Sequence, residues 1–487
     1  MPIANHKSKL VHRPSGGIAN RKFKACLCLL IVAVLVAMLS CPPAGPVKQT
    51  KNSKLKTQNY EGVTVFLTGN ELGALKPCGC SGGQLGGLDR RRAVFASVPK
   101  QKRLIVDTGG LVKSDSEQDL IKFSIIMQAF GLLGYDVVNL TEKDIEIGKN
   151  LGLLDSIGSS FNTISSYGNA NVKLPVKFTK RLRMRNGIVA ITVAAFDMES
   201  SHPEQIAEFF APYRSSRSVN IAILNRRASA IIGSIARISP VVDCLIVPAE
   251  SDEPMVVGDP NKRPLVFSVG RFGRYVSRLQ ITDGSEKDRL KISFSAIPVT
   301  EDLPQEKSLV ELYNAYQQIV KDSNLLEKWG RFALPNGLKY TGSESCKSCH
   351  EYEYEKWSSE PHSRAYATLQ SAGSQFDPEC VVCHTVGMKY ESGFVSEEKA
   401  AYLKNVGCEN CHGPGSEHIR TIGKTTSTEP KSQCLDCHTP EQSSHYAGNE
   451  QLYLEKIIHW QEPNAPGDVK KEGSSVSARP SLDERKD

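Results

Sequence analysis

Hydrophobic and polar positions divide the chain into stretches of different character. Residues 1–24 are polar and basic, with Lys7, Lys9, Arg13, Arg21, Lys22 and Lys24, and residues 25–40 form an unbroken apolar run. A charged segment followed by a short apolar one is the pattern of an export signal, and this run is short for a membrane-spanning helix. Residues 42–60, rich in Pro, Lys, Gln and Asn, read as a flexible tether. From 61 to 300, short apolar runs alternate with longer segments of helical period. Strands are predicted over 63–68, 104–106, 137–139, 188–194, 221–224, 244–247 and 264–268, and helices over 118–133 and 226–238. Such alternation predicts an α/β layered domain. Leu309, Leu312, Tyr313, Tyr316, Ile319 and Val320 recur at helical spacing and predict a connecting helix within 301–338. Beyond Trp460 the chain is polar, and 461–487 is expected to be disordered.

Segment 339–460 is dominated by chemistry rather than by periodicity. It holds four copies of one motif: Cys346-Lys-Ser-Cys349-His350, Cys380-Val-Val-Cys383-His384, Cys408-Glu-Asn-Cys411-His412 and Cys434-Leu-Asp-Cys437-His438. Two thiols three positions apart reach the two vinyl groups of one porphyrin and form thioethers, and the adjacent histidine falls under the iron as an axial ligand. Zinc ribbons also use paired Cys-x-x-Cys units, but they do not require a histidine after each pair. Four covalently attached c-type haems, each with its iron, are therefore the expected cofactors.

The chain has 487 residues, enough for two or three domains, and an ordinary globular composition of 40% hydrophobic and 23% charged residues. The formal net charge is +7, yet residues 341–460 carry 17 acidic against 10 basic side chains. A solvated surface accounts for such an imbalance; electrostatic docking with redox proteins, as electron donor and acceptor, is the functional reading. No nucleic-acid signature is present. Of the 14 cysteines, eight lie in the four motifs, leaving Cys26, Cys28, Cys41, Cys78, Cys80 and Cys244. Cys41 follows Met38-Leu39-Ser40, which resembles a bacterial lipoprotein cleavage site, so segment 1–41 is read as an export signal that leaves a lipid anchor at Cys41, stays as an uncleaved membrane anchor, or is an ordinary signal. The rest of the chain is then expected on the extracytoplasmic, periplasmic side of a bacterial membrane.

The middle domain resembles the 5'-nucleotidase branch of the calcineurin-like metallophosphatases. The residues that carry the likeness are Gly86-Gly87-Leu88-Asp89-Arg90-Arg91-Arg92, Leu104-Ile-Val-Asp107-Thr-Gly109-Gly110, and Ser268-Val-Gly270-Arg-Phe-Gly273-Arg-Tyr-Val-Ser-Arg278-Leu. The resemblance implies two packed mixed sheets flanked by helices and, in that family, a two-metal site that activates water on phosphate esters. This chain departs at the metal positions. Asn70 and Leu72 stand where the family has Asp-x-His; Gly110 stands for an Asp; Thr141-Glu142-Lys143-Asp144 replaces Gly-Asn-His-Glu; Pro248-Ala249-Glu250 and Gly258-Asp259-Pro260-Asn261 replace its later histidine segments. His202 is the only histidine between 61 and 300. The domain is expected to be a scaffold without phosphoesterase activity. Cys78 and Cys80 lie in a loop after the first strand and read either as an inert pair, with one of them joined to Cys244 in a variant of that reading, or as a redox-active or metal-binding thiol pair.

The C-terminal domain resembles the tetrahaem cytochrome c-554 family, on Tyr340-Thr-Gly-Ser343, Trp357-Ser-Ser-Glu-Pro-His362-Ser-Arg-Ala365 and Cys408-Glu-Asn-Cys411-His412-Gly-Pro-Gly-Ser-Glu-His418. The likeness implies a mostly helical and irregular domain whose core is supplied largely by haem, and it implies that His362, His418, His445 and His459 are distal ligands beside the proximal His350, His384, His412 and His438. Spacing adds an argument of its own. Axial ligands lie on opposite faces of the macrocycle, and His418 and His445 follow their nearest motifs too closely to wrap a porphyrin edge, so each is expected to ligate a neighbouring haem. The expected whole is a multidomain, exported electron carrier: an α/β metallophosphatase-like sandwich followed by a tetrahaem cytochrome c domain. The alternative is a haem enzyme with one open iron acting on a small nitrogen or sulfur species.

Overall fold

The computed structural model describes residues 62–77, 83–154, 160–167, 174–197, 202–225, 241–284, 290–425, 433–439, 442–443 and 445–459. The N-terminal segment with Cys41, the tether, the Cys78 and Cys80 loop, the helix predicted over 226–238 and the polar tail lie outside the described residues. The chain separates into one unit of Met1–Trp329 with Gly373–Pro378, and another of Gly330–Ala372 with Glu379–Asp487.

The first unit is built on two sheets. In one, β1 (Val63–Thr68), β2 (Arg103–Asp107), β3 (Val137–Asn139) and β4 (Asn162–Ile164) are parallel, and β10 (Tyr275–Asp283) and β11 (Leu290–Pro298) are added antiparallel, in the order β11-β10-β1-β2-β3-β4. In the other, β6 (Gly187–Phe196), β7 (Ser218–Leu224), β8 (Cys244–Ile246) and β9 (Leu265–Phe267) are parallel, and β5 (Lys177–Met184) pairs antiparallel with β6, in the order β5-β6-β7-β8-β9.

The period of two along each strand decides which core a side chain joins. Val63, Val65 and Leu67 of β1 enter the cluster between the sheets with Leu104, Val106, Ile191, Val193, Ile221 and Ile223. Phe66 and Ile105 point the other way, into a second cluster with α1 (Leu88–Ala96), α2 (Glu117–Leu133), α3 (Glu142–Asn150) and α5 (Lys307–Asp322). A third cluster covers the outer face of the second sheet with α4 (Pro203–Phe210). A buried Val, Leu or Ile contributes about 1.5–3 kcal/mol, so an Asp at Val65 would break the inter-sheet layer. Helix α2 starts where Ser116 accepts from the Asp119 N–H and stops at Gly134, whose φ of 76° suits glycine. Helix α5, read in sequence as a connector, buries Leu309, Leu312, Tyr316 and Val320 in the first unit's core. Cys244 is a free, buried thiol, and burial pushes its pKa up.

The second unit consists of short helices and turns, among them Glu351–Ser359, Ala365–Ala372, Pro378–His384, Cys408–His412, Ser416–Arg420 and Glu450–Glu455. Helices this short are unstable alone in water. The three apolar clusters found among the described residues all belong to the first unit, whereas Leu435, Ile422, Leu452 and Phe332 of the second unit are exposed.

Candidate haem centres

Each cysteine motif forms about one helical turn, which brings residues i and i+3 to the same side. In the first motif, a 3₁₀ turn over Ser343–Cys346 leads into His350, whose N–H donates to the Cys346 carbonyl at 3.0 Å. The second and third motifs lie in the helices Pro378–His384 and Cys408–His412, the latter ending at Gly413 with φ 77°. In the fourth, the His438 N–H donates to the Cys434 carbonyl at 2.7 Å.

The motifs meet one another through their thiols. Cys346 and Cys408 hydrogen-bond to each other, which holds the Cys408 thiol down to about 6 against the opposing effect of burial. Cys437 is lowered mainly by its hydrogen bond with Cys383. Burial, with Cys434 and Cys437 nearby, pushes Cys411 up to about 11. The first and third motifs are thus neighbours, the second and fourth are neighbours, and Cys411 brings the third beside the fourth.

The histidines outside the motifs come from separate elements: His362 from the turn Pro361–Arg364, His418 from the helix Ser416–Arg420, His459 from the chain after Glu450–Glu455. The ring of His418 lies 5.9 Å, centroid to centroid, from that of His350. His362 lies 6.3 Å from His438, and His459 lies 6.1 Å from His412. The structure does not bring His445 to a motif histidine in this way; it is exposed, and its carbonyl accepts from Asn449.

Second contacts orient the rings. The Nδ1–H of His384 donates to the Ala365 carbonyl at 2.7 Å, that of His418 to Thr425 at 2.7 Å, and that of His459 to Ile457 at 2.9 Å. A carbonyl only accepts, so these tautomers keep the Nε2 lone pair for a metal. His438 Nδ1 instead meets the Ser443 hydroxyl at 3.0 Å. Burial lowers the pKa of both His362 and His438, and for His362 the neighbouring His438 adds to it; both shifts favour the neutral, ligating form. Paired thiols, oriented imidazoles and exposed apolar side chains in a unit of short helices all fit covalently held haem. Met388, the sole methionine of the second unit, is buried.

The first unit gives its polar residues other partners. Glu71 and Arg91, both fully buried, form a two-pronged ion pair at 2.6 and 2.9 Å, and Arg91 also donates to the Tyr135 hydroxyl at 2.9 Å. Asp107 accepts from Thr68 at 2.6 Å and from the Gly109 N–H at 2.8 Å, and burial, reinforced by Glu71, raises it to about 7. Asp144 caps α3 through Thr141 and accepts from the Gly110 and Leu111 N–H groups. Asn70, at φ 51°, donates to the Gly270 carbonyl. His202 is exposed at the start of α4. Among the described residues there is no group of three or more His, Cys, Asp or Glu placed to hold a metal ion. Sequence reasoning singled out neither Glu71 nor the roles of Glu409 and Ser443. Arg91 is visible in the Gly-Gly-Leu-x-Arg-Arg turn, but its partner is not.

The family model for cytochrome c554 and c-prime matches residues 345–413. Cytochrome c-554 of Nitrosomonas europaea is 31% identical over 98 residues, which are 17% of this chain and 42% of that protein. The match therefore spans less than half the length of that curated relative. Among solved structures, the calcineurin-like phosphoesterase YfkN from Bacillus subtilis aligns at TM-score 0.42 and 13% identity, over 53% of this chain and 97% of that one. A 5'-nucleotidase precursor from Thermus thermophilus aligns at TM-score 0.42 and 15% identity, over 56% of this chain and 60% of that one. The C-terminal region is similar to c-type cytochromes, and covalently bound haem with its iron is the cofactor that this similarity implies.

Proposed function

We propose that this protein is an exported tetrahaem cytochrome that relays electrons between redox proteins and is held at a membrane by its N-terminal segment. The observation that carries the reading is the set of three histidine pairs. Two imidazoles on opposite faces of one iron, each bound at about 2 Å, place their centroids roughly 6 Å apart. His350 with His418, His438 with His362, and His412 with His459 stand at 5.9, 6.3 and 6.1 Å.

Haem iron, when bound, supplies the ferric–ferrous step. Cys346 with Cys349, Cys380 with Cys383, Cys408 with Cys411 and Cys434 with Cys437 would hold the haems through thioethers. At three sites the paired histidines would hold the iron, would keep small molecules away from it and would favour low potentials. Contact between the motifs, first with third, third with fourth and fourth with second, supports closely spaced haems, an arrangement suited to transfer rather than to substrate binding. The first unit serves as a scaffold, with Glu71, Asp107 and Asp144 engaged in internal hydrogen bonds. A second reading, a haem enzyme with one open iron acting on a small nitrogen or sulfur species, is favoured by one observation: the exposed position of His445.

Intact mass and haem absorbance of the exported protein test the main reading. Four covalent haems per chain, taking up four electrons reversibly in a potentiometric titration, are expected. Zinc in place of haem, or fewer than four haems, would overturn it.

A further inference from the structure

Glu409 occupies the position after the first cysteine of the third motif and is almost fully buried. Its carboxylate faces donors from two separate stretches of chain. The Thr341 N–H donates to both oxygens at 3.0 Å, the Thr341 hydroxyl to one at 3.2 Å, the Gly342 N–H at 2.8 Å and the Gly415 N–H at 2.7 Å. Thr341 and Gly342 lead into the first motif. Gly415 immediately precedes the helix that carries His418, the partner of His350. The Cys408 N–H donates to Ser343 at 3.1 Å, a second tie between the same two motifs. The equivalent positions in the second and fourth motifs are Val381 and Leu435, both apolar. The first and third motifs are therefore tied through a buried carboxylate inside an attachment turn, and the second and fourth have no carboxylate at that position.

A fixed negative charge close to a haem stabilises the ferric state, which is one unit more positive than the ferrous, and a low dielectric strengthens the effect. We propose that Glu409 is a positioning residue that fixes the first and third haem sites as one unit and lowers their reduction potentials relative to the second and fourth. Electrons entering at the first and third haems then run downhill to the second and fourth, which gives the relay a direction. This inference rests on the four-haem reading.

The test is a potentiometric titration of the full haem-loaded protein, followed by absorbance and electron paramagnetic resonance. Haem content of the parent protein comes first: fewer than four haems would sink the underlying reading before any variant is made. Glu409→Gln keeps the shape and removes the charge; two of the four potentials are expected to rise while the other two stay. Glu409→Asp keeps the charge, and its potentials are expected to stay near those of the parent even if the shorter side chain lowers thermal stability. Thr341→Val removes one donor and leaves the carboxylate less compensated; the same two potentials are expected to fall. This opposite sign separates charge from mere loosening, and it decides the matter should the Gln variant fail to accumulate. Unchanged potentials in the Gln and Val variants, four potentials that move together, or an Asp variant that shifts as far as the Gln variant would overturn the proposal.

Discussion

Replacing Arg91 with Met is expected to lower the unfolding temperature of the first unit by many degrees. The guanidinium is fully buried, bound at 2.6 and 2.9 Å to Glu71 and at 2.9 Å to Tyr135. Burial works against its charge, but the carboxylate beside it outweighs this and holds its pKa above the ordinary value. Methionine fills much of the volume and leaves Glu71 without its partner in a site closed to water. Breaking a buried ion pair from one side costs about 3–5 kcal/mol. At ~2–4 °C per kcal/mol for a unit of this size, the transition falls by roughly 6–20 °C. The assay is calorimetry of the full haem-loaded chain. The double variant Arg91→Met with Glu71→Met, which removes the stranded charge, is expected to recover part of the loss. A single variant within about 1 kcal/mol of the parent would refute the reasoning, because it would mean that Glu71 finds another cation or that water reaches it.

Three further outcomes are expected. Asp107 has a folded pKa of about 7, raised from its ordinary value by burial and then by Glu71. Its contribution is therefore fully present in acid and lost as pH rises from about 4 through 7; Asp107→Asn should flatten the fall in melting temperature between about pH 5 and pH 8, and an unchanged slope would count against it. His418→Ala should convert one low-spin haem per chain to high-spin while His445→Ala leaves the low-spin count at the three paired sites unchanged; the reverse pattern would reassign the ligands. A Cβ on Gly273 would stand 2.0 Å from an Arg91 nitrogen and 2.7 Å from a Glu71 oxygen, so Gly273→Ala should destabilise the first unit in calorimetry without changing haem content.

Covalent chemistry made the haem motifs legible, because thioether attachment fixes the spacing within five residues. The central parallel strands were legible for a related reason. Buried on both faces, β1 and β3 are mainly apolar, β-branched runs that stand out at Val63–Thr68 and Val137–Asn139. Edge strands were not. In β5, Lys, Arg and Thr alternate with apolar residues, and only Leu182 and Met184 are buried, so the strand looks like solvated chain until its pairing with β6 is known. Short helices such as α1, with Arg at three successive positions, lack an apolar stripe and went unseen for the same reason. Contacts made over long separations were the least legible. Glu409 meets donors 68 residues away, and the partners of His418 and His362 belong to motifs distant in sequence, so only the folded chain pairs them.

The most direct measurement is an electron paramagnetic resonance spectrum of the oxidised protein with haem quantified on the same sample. Four haems per chain are expected, at least three of them low-spin, from His350 with His418, His412 with His459 and His438 with His362. The fourth iron then decides the role of the second site: low-spin for a relay alone, high-spin for an iron that also binds a small molecule. Fewer than four haems, or high-spin signal from more than one of them, would contradict the paired tetrahaem relay.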